Sequence, residues 1–249
     1  MENLRVSTMT AIGSLNNHID LQKLYNKIEP NDIIKYINYG INGYKGESNK
    51  KKSKKKVQNK KVFYNQLTFH IFYDKIINVK IFNNGKIQMT GIKYYEQGKH
   101  VINLLIKQLQ LLNYDDIYIT KNVPISYSNY EIVLINSDFD IKYEINREIL
   151  HKEIIKAGYY SSFEPCIYPG VNIKYYYNKN QSNGICICNR ICNGKGKGDY
   201  DGGCKKITIA VFASGKIIIT GAKSEPQLVL SYNFITDFIN SRKSLFELK

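Results

Sequence analysis

Cys186, Cys188, Cys192 and Cys204 fall close together in a stretch rich in Gly and Asn. Four thiolates are enough for a tetrahedral zinc site. The spacing Cys-x-Cys-x3-Cys with a distant fourth Cys lacks the paired Cys-x2-Cys of a standard knuckle. A local zinc clip and a reduced loop are therefore both open readings, and no other cofactor is expected. Cys166 brings the total to five, an odd number that does not suit a secreted disulfide framework and points to a reducing compartment. The run Gly194-Lys-Gly-Lys-Gly198 looks like a phosphate loop, but it lacks the Gly-Lys-Ser/Thr ending and a following helical pattern. His18, His70, His100 and His151 are scattered, with no pair one helical turn apart. No Ser/His/Asp set or carboxylate pair stands out, so an enzyme is not expected.

Charge is the second chemical signal. The 249 residues carry a formal net charge of +15, which suits a polyanionic partner, nucleic acid before a membrane surface. Between residues 45 and 61 there are nine Lys and one Glu, so about half of the charge sits in one tract centred on Lys50–Lys56. That tract reads equally as a localisation signal, a nonspecific DNA tail or a solvated insertion. Heavy use of Ile, Lys, Asn and Tyr suits an AT-rich genome, which accounts for part of the Lys excess. Nothing reads as a signal peptide or a membrane span.

The elements that must position these groups come twice. Residues 80–97 read KIFNNGKIQMTGIKYYEQ and residues 210–227 read AVFASGKIIITGAKSEPQ. An offset of 130 superimposes Phe212 on Phe82, Gly215 on Gly85, Lys216 on Lys86, Thr220 on Thr90, Gly221 on Gly91, Lys223 on Lys93 and Gln227 on Gln97, without a gap. Each copy predicts a strand, a tight turn ending in Gly, a second strand over Lys86–Thr90 or Lys216–Thr220, and then a helix. Ser224 and Gln227 have capping-box spacing, with Pro226 in the first turn. Leu228, Tyr232, Ile235 and Ile239, and likewise Val101, Ile102, Leu105, Leu109 and Leu112, recur at helical spacing and predict a core-facing stripe. Upstream, a strand and a helical stretch are predicted over Leu4–Thr10 and Leu15–Ile28 in the first copy, and over Glu131–Asn136 and Ile145–Ala157 in the second.

The pattern is α+β, with helices on one face of an antiparallel sheet and the other face free. The expected organisation is a first repeat over 1–112, a connector over 113–130 and a second repeat over 131–249. A Lys-rich insertion of about 30–62 interrupts the first repeat, and a Cys/Gly-rich hairpin extension of about 178–204 the second.

The segment Tyr160-Ser-Ser-Phe-Glu-Pro-Cys-Ile-Tyr-Pro-Gly170, with Thr220-Gly-Ala-Lys223-Ser-Glu, closely resembles the second repeat of the TATA-box-binding protein family. Val6-Ser7-Thr8, Asn84-Gly85-Lys86 and Thr90-Gly91-Ile92-Lys93 resemble strands of its first repeat. The resemblance implies a saddle: one curved antiparallel sheet from two pseudo-symmetric halves, helices on the convex side and DNA on the concave side. Minor-groove kinking by this family is a known general case. Carried over residue by residue, the wedge pairs are Tyr168 with Phe212 and Phe82 with Phe69. The phosphate contacts are Lys86, Lys93, Lys216 and Lys223, and the base-facing strip includes Val6, Thr90, Ile218 and Thr220. The sequence departs from the family at Leu4 and Leu134, where an Asn is usual, at Lys80 and Gln88, where aliphatic residues are usual, and at Tyr168, where Phe is usual. With the second copy nearer the family pattern, it is expected to hold DNA more faithfully.

The implied function is a transcription initiation factor that binds the minor groove of A·T-rich promoter DNA, bends it and recruits a TFIIB-like factor and RNA polymerase. Its partners would be double-stranded DNA and these proteins, with no membrane and a monomer on DNA. The alternative is an interaction scaffold in transcription with weak or no TATA recognition, which the polar departures favour. The expected location is a nucleus, or a cytoplasmic viral factory or virion if the chain is viral, and not outside the cell.

Overall fold

The computed structural model describes residues 3–47, 64–112, 117, 124–181 and 183–248. The Lys50–Lys56 tract and most of the expected connector fall outside them. The chain divides into two compact units, Met9–Ile132 and Val133–Lys249 with Met1–Thr8. The initial residues thus group with the second unit, and the two units divide at Ile132/Val133, next to the end of the expected connector 113–130.

In the unit Met9–Ile132, β1 (Arg5–Leu15) contributes its later residues, followed by α1 (Leu21–Lys27), β2 (Ile34–Asn38), β3 (Tyr44–Gly46), β4 (Gln66–Phe72), β5 (Ile76–Phe82), β6 (Lys86–Ile92) and α2 (Tyr95–Gln110). The antiparallel sheet has the order β3-β2-β4-β5-β6-β1. Its central strands β4 and β5 alternate strictly. In β5, Ile77, Val79 and Ile81 are buried, while Ile76, Asn78, Lys80 and Phe82 are not. The buried set packs with Val101, Ile102, Leu105 and Leu109 of α2 in one apolar core. This is the period-two pattern of a sheet covered on one face.

The second unit holds β7 (Tyr127–Asp140, from Val133 on), α3 (Arg147–Lys156), β8 (Tyr160–Ser162), β9 (Val171–Tyr177), β10 (Lys205–Val211), β11 (Lys216–Ala222), α4 (Glu225–Asn240) and α5 (Lys243–Phe246). Its antiparallel order is β7-β11-β10-β9-β8, and α4 packs on β9, β10 and β11. Each unit is therefore α+β with a helix-covered and a helix-free sheet face.

The duplication extends to hydrogen-bond register. Asn78 pairs with Thr90 and Lys80 with Gln88; at the same offset Thr208 pairs with Thr220 and Ala210 with Ile218. Gly85 and Gly215 both adopt φ +79°. A side chain at either would collide with a carbonyl, that of Asn17 or of Tyr143. Glycine is thus required twice over, by conformation and by space.

Five local expectations are corrected. β1 continues to Leu15 because Ala11, Gly13 and Leu15 stay on the buried face. The helix after it is then confined to Leu21–Lys27, started by Asp20, whose carboxylate accepts the Lys23 N–H. The insertion after residue 30 is not all loop: β2 pairs with β4 and buries Ile34 and Ile37, which pay for its order. Tyr127–Tyr130, expected in the connector, belong to β7. At the start of α4, Ser224 makes no capping bond through its side chain. Gln227 instead accepts the Lys223 N–H at 2.8 Å, as Gln97 accepts that of Lys93 at 2.7 Å.

Candidate nucleic-acid interface

The helix-free faces can be read in rows across the strands. In the first unit one row is Ser14, Lys86, Phe82 and Gln66; the next is Ile12, Gln88, Lys80 and Thr68; the third is Thr10, Thr90, Asn78 and His70. The matching rows of the second unit are Asp140, Lys216, Phe212 and Gly170; Asp138, Ile218, Ala210 and Asn172; and Asn136, Thr220, Thr208 and Lys174. Gly170 enters its row as the residue before Val171, which pairs with Val211.

The first row carries the expected wedges. Tyr168 and Phe212 meet edge to face, with ring centroids 5.8 Å apart. Gly170 lies beneath them, where an added Cβ would press to 2.8 Å on the Tyr168 ring and 3.3 Å on Phe212. The loop holding Tyr168 is tied down: the N–H groups of Ile167 and Tyr168 both reach the Glu164 carbonyl at 2.9 Å, and Arg147 donates to the Pro169 carbonyl. Tyr168 remains 38% exposed.

Phe69 does not belong to this site. It is 0% exposed in the core of the first unit, on the buried side of β4. Register identifies its replacement. Tyr168 stands two residues before the position opposite Phe212, and Tyr64 stands two residues before Gln66, which is opposite Phe82. Tyr64 is 67% exposed. Counting back through the β4–β5 hairpin from Phe82 would have found it. Where the second unit has Gly170 under its pair, the first has the larger Gln66.

Lys86, Lys93 and Lys216 are exposed and Lys223 is half-buried. Thr90 and Ile218 also lie exposed on the helix-free faces, with Thr220 half-buried. Thr220 donates its hydroxyl to the Asn136 side-chain oxygen at 2.5 Å. Val6 is a half-buried residue of β1 between Arg5 and Ser7.

The strip is less apolar than expected, in both units. Lys80 and Gln88 face each other in the first. In the second, Asp138 stands opposite Ile218. Its carboxylate accepts from Arg5 at 2.8 Å and from Ser7, and the Ser7 bond, with Arg5 beside it, holds its carboxyl below the usual range. With Phe212, Lys216 and Asp140 these groups line an open hollow of about 650 Å³. Lys174 donates to Thr208 at 2.9 Å; burial, then the charge of Lys206, pushes its ammonium down. Sequence reasoning missed Asn136, Asp138 and Lys174, although strict alternation along β7 and β9 would have placed all three on this face.

Two α+β units in shared register, each with two aromatic residues and lysines placed at matching positions, define a duplicated α+β fold with a helix-free sheet face in each copy. The family model described as "Transcription factor TFIID (or TATA-binding protein, TBP)" matches residues 129–241. A "TATA-box-binding protein-like" protein of Acanthamoeba polyphaga mimivirus is 32% identical across 94% of this chain and 64% of its own length. "TATA-box-binding protein 2" of Entamoeba histolytica is 26% identical across 62% of this chain and 55% of its own. The solved structure of Methanococcus jannaschii TBP superposes with a TM-score of 0.58 at 19% identity, covering 96% of this chain and 99% of that one. The chain has the TBP fold, and these likenesses support a divergent TBP-like protein of viral origin. It spans 64% and 55% of the lengths of those two curated relatives.

Proposed function

We propose that this protein is a transcription initiation factor that binds A·T-rich promoter DNA through the minor groove and bends it. The observation that carries the reading is the aromatic pair Tyr168–Phe212, set over Gly170 beside Lys216, with its counterpart Tyr64 and Phe82 beside Lys86. The rings would enter base steps, at an unstacking cost of a few kcal/mol each, which the enlarged contact offsets. The lysines would take phosphates and set register. Small hydroxyls and Ile218 suit a groove floor without the guanine amino group. Bent DNA would then present a composite surface to a TFIIB-like factor and RNA polymerase, in a nucleus or a viral factory. No catalytic step is assigned.

The test is fluorescence anisotropy on A·T-rich and G·C-rich duplexes across a salt series. Tighter binding to A·T-rich DNA, weakening steeply with salt, is expected. Equal affinity for both would refute A·T reading and favour the second reading, a scaffold that recruits transcription proteins. Asp138, Lys80 and Gln88 within the strip are the observations on that side.

A further inference from the structure

We propose that Cys186, Cys188, Cys192 and Cys204 bind one zinc ion as a structural tetrathiolate site. The four sulfurs all lie within 4.8 Å of one another. Cys188 and Cys204 are 3.3 Å apart, and Cys186 and Cys204 3.9 Å. A tetrahedral zinc with Zn–S bonds of about 2.3 Å sets its sulfurs about 3.8 Å apart, so the cluster needs only small adjustments. A disulfide would need about 2.05 Å, and all four thiols are free. Mutual proximity of four sulfurs, rather than two close pairs, suits a single central ion.

N–H groups converge on three of the four sulfurs. The Cys188 N–H points to the Cys186 sulfur. The N–H groups of Gly194 and Cys204 point to that of Cys192. In two of these contacts the donor lies two residues after the ligand, so the chain wraps each sulfur with its own backbone. The Asn178 side-chain amide reaches the Cys204 sulfur at 3.6 Å, and Cys204 is 0% exposed. Such outer hydrogen bonds orient ligands and stabilise their charge. Gly194 turns the chain at φ +70°, and a Cβ there would come within 2.6 Å of Lys206.

The segment 178–204 also needs a source of order. Among its described residues there is no helix or ladder strand, only isolated bridges such as Lys195 with Lys205. Loops of this length without secondary structure are uncommon in compact units, and metal binding supplies folding free energy directly. The loop is mounted at a defined place: the Gln227 side-chain N–H2 donates to the Lys197 carbonyl at 3.0 Å, while its oxygen caps the Lys223 N–H. On the DNA-binding reading above, the clip holds Lys195 and Lys197 near Lys223.

The test uses the full chain, freed of any histidine tag and grown with added zinc. Elemental analysis should find one zinc per chain, released when a mercurial titrates the thiols, and cobalt(II) exchange should give the visible bands of a tetrahedral tetrathiolate. Cys186→Ser and Cys192→Ser should each weaken zinc binding at least tenfold in competition with a chelating dye, whereas Cys166→Ser, outside the cluster, should keep one zinc. A wild-type chain without zinc and without tetrahedral cobalt bands would overturn the proposal, whatever the variants do. Equal metal loss in Cys166→Ser would overturn it too. Neither readout depends on DNA, so failure here leaves the promoter-binding reading standing.

Discussion

Phe69 and Tyr64 offer a direct contest between two placements of one wedge. Phe69 is 0% exposed in the core of the first unit. Phe69→Ala removes a filled core ring and should cost about 3–5 kcal/mol of stability, a large share of the roughly 5–15 kcal/mol a domain has. Tyr64 is 67% exposed, so Tyr64→Ala should change stability by no more than about 0.5 kcal/mol. It should instead remove one base-stacking contact, worth about 1–3 kcal/mol, and so weaken binding to an A·T-rich duplex by roughly 5- to 150-fold. Urea unfolding followed by circular dichroism reads the first quantity, since the chain has no Trp. Anisotropy and end-to-end energy transfer on a doubly labelled duplex read the second. The reasoning is refuted if Phe69→Ala unfolds at the wild-type midpoint yet no longer bends DNA, or if Tyr64→Ala binds and bends as wild type does.

Phe212→Ala should lose bending more than it loses nonspecific binding; an unchanged energy-transfer signal would remove Phe212 from the wedge pair. Lys86→Ala and Lys216→Ala should each reduce the slope of log affinity against log salt by about 1, as measured by anisotropy. Gly85→Ala meets both a positive φ and the Asn17 carbonyl, so its unfolding free energy, measured by urea titration, should drop by more than the roughly 1 kcal/mol typical of a point change. Asp138 has a folded pKa below its ordinary 3.8, so it stabilises the fold at neutral pH and loses that contribution as pH falls through the folded value. The stability gap between wild type and Asp138→Asn, followed by urea unfolding, should therefore close on acidification below about pH 4.

The repeated turn, its flanking strands and the long helices were legible because no insertion separates them, so one offset carries register from one copy to the other. Phe69 was misplaced because it was aligned by type and nearness. Only hydrogen-bond register from Phe82 shows that an odd step along β4 points inward. β2 was hidden because its two buried isoleucines, Ile34 and Ile37, stand beside Lys35 and Asn38 in a stretch dominated by charge further on. Asp138 escaped notice because the resemblance directed attention to Leu134, while strict alternation along β7 sets Asp138 beside Ile218. The capping role of Gln227 was half legible: the spacing was right, but the bond goes to Lys223 and not through Ser224.

The two insertions bear on solubility as well. The first sheet ends on β3 and the second on β8, and each is only three residues long. Beyond β8, the Tyr176 N–H is taken by the Gly184 carbonyl of the Cys-rich loop, and beyond the first repeat's hairpins β2 is covered by β3. Long open sheet edges recruit other chains, and short or covered ones do not. Each copy thus shields its own margin with its own inserted segment, which would let a sheet-rich protein accumulate to high concentration without zipping into aggregates.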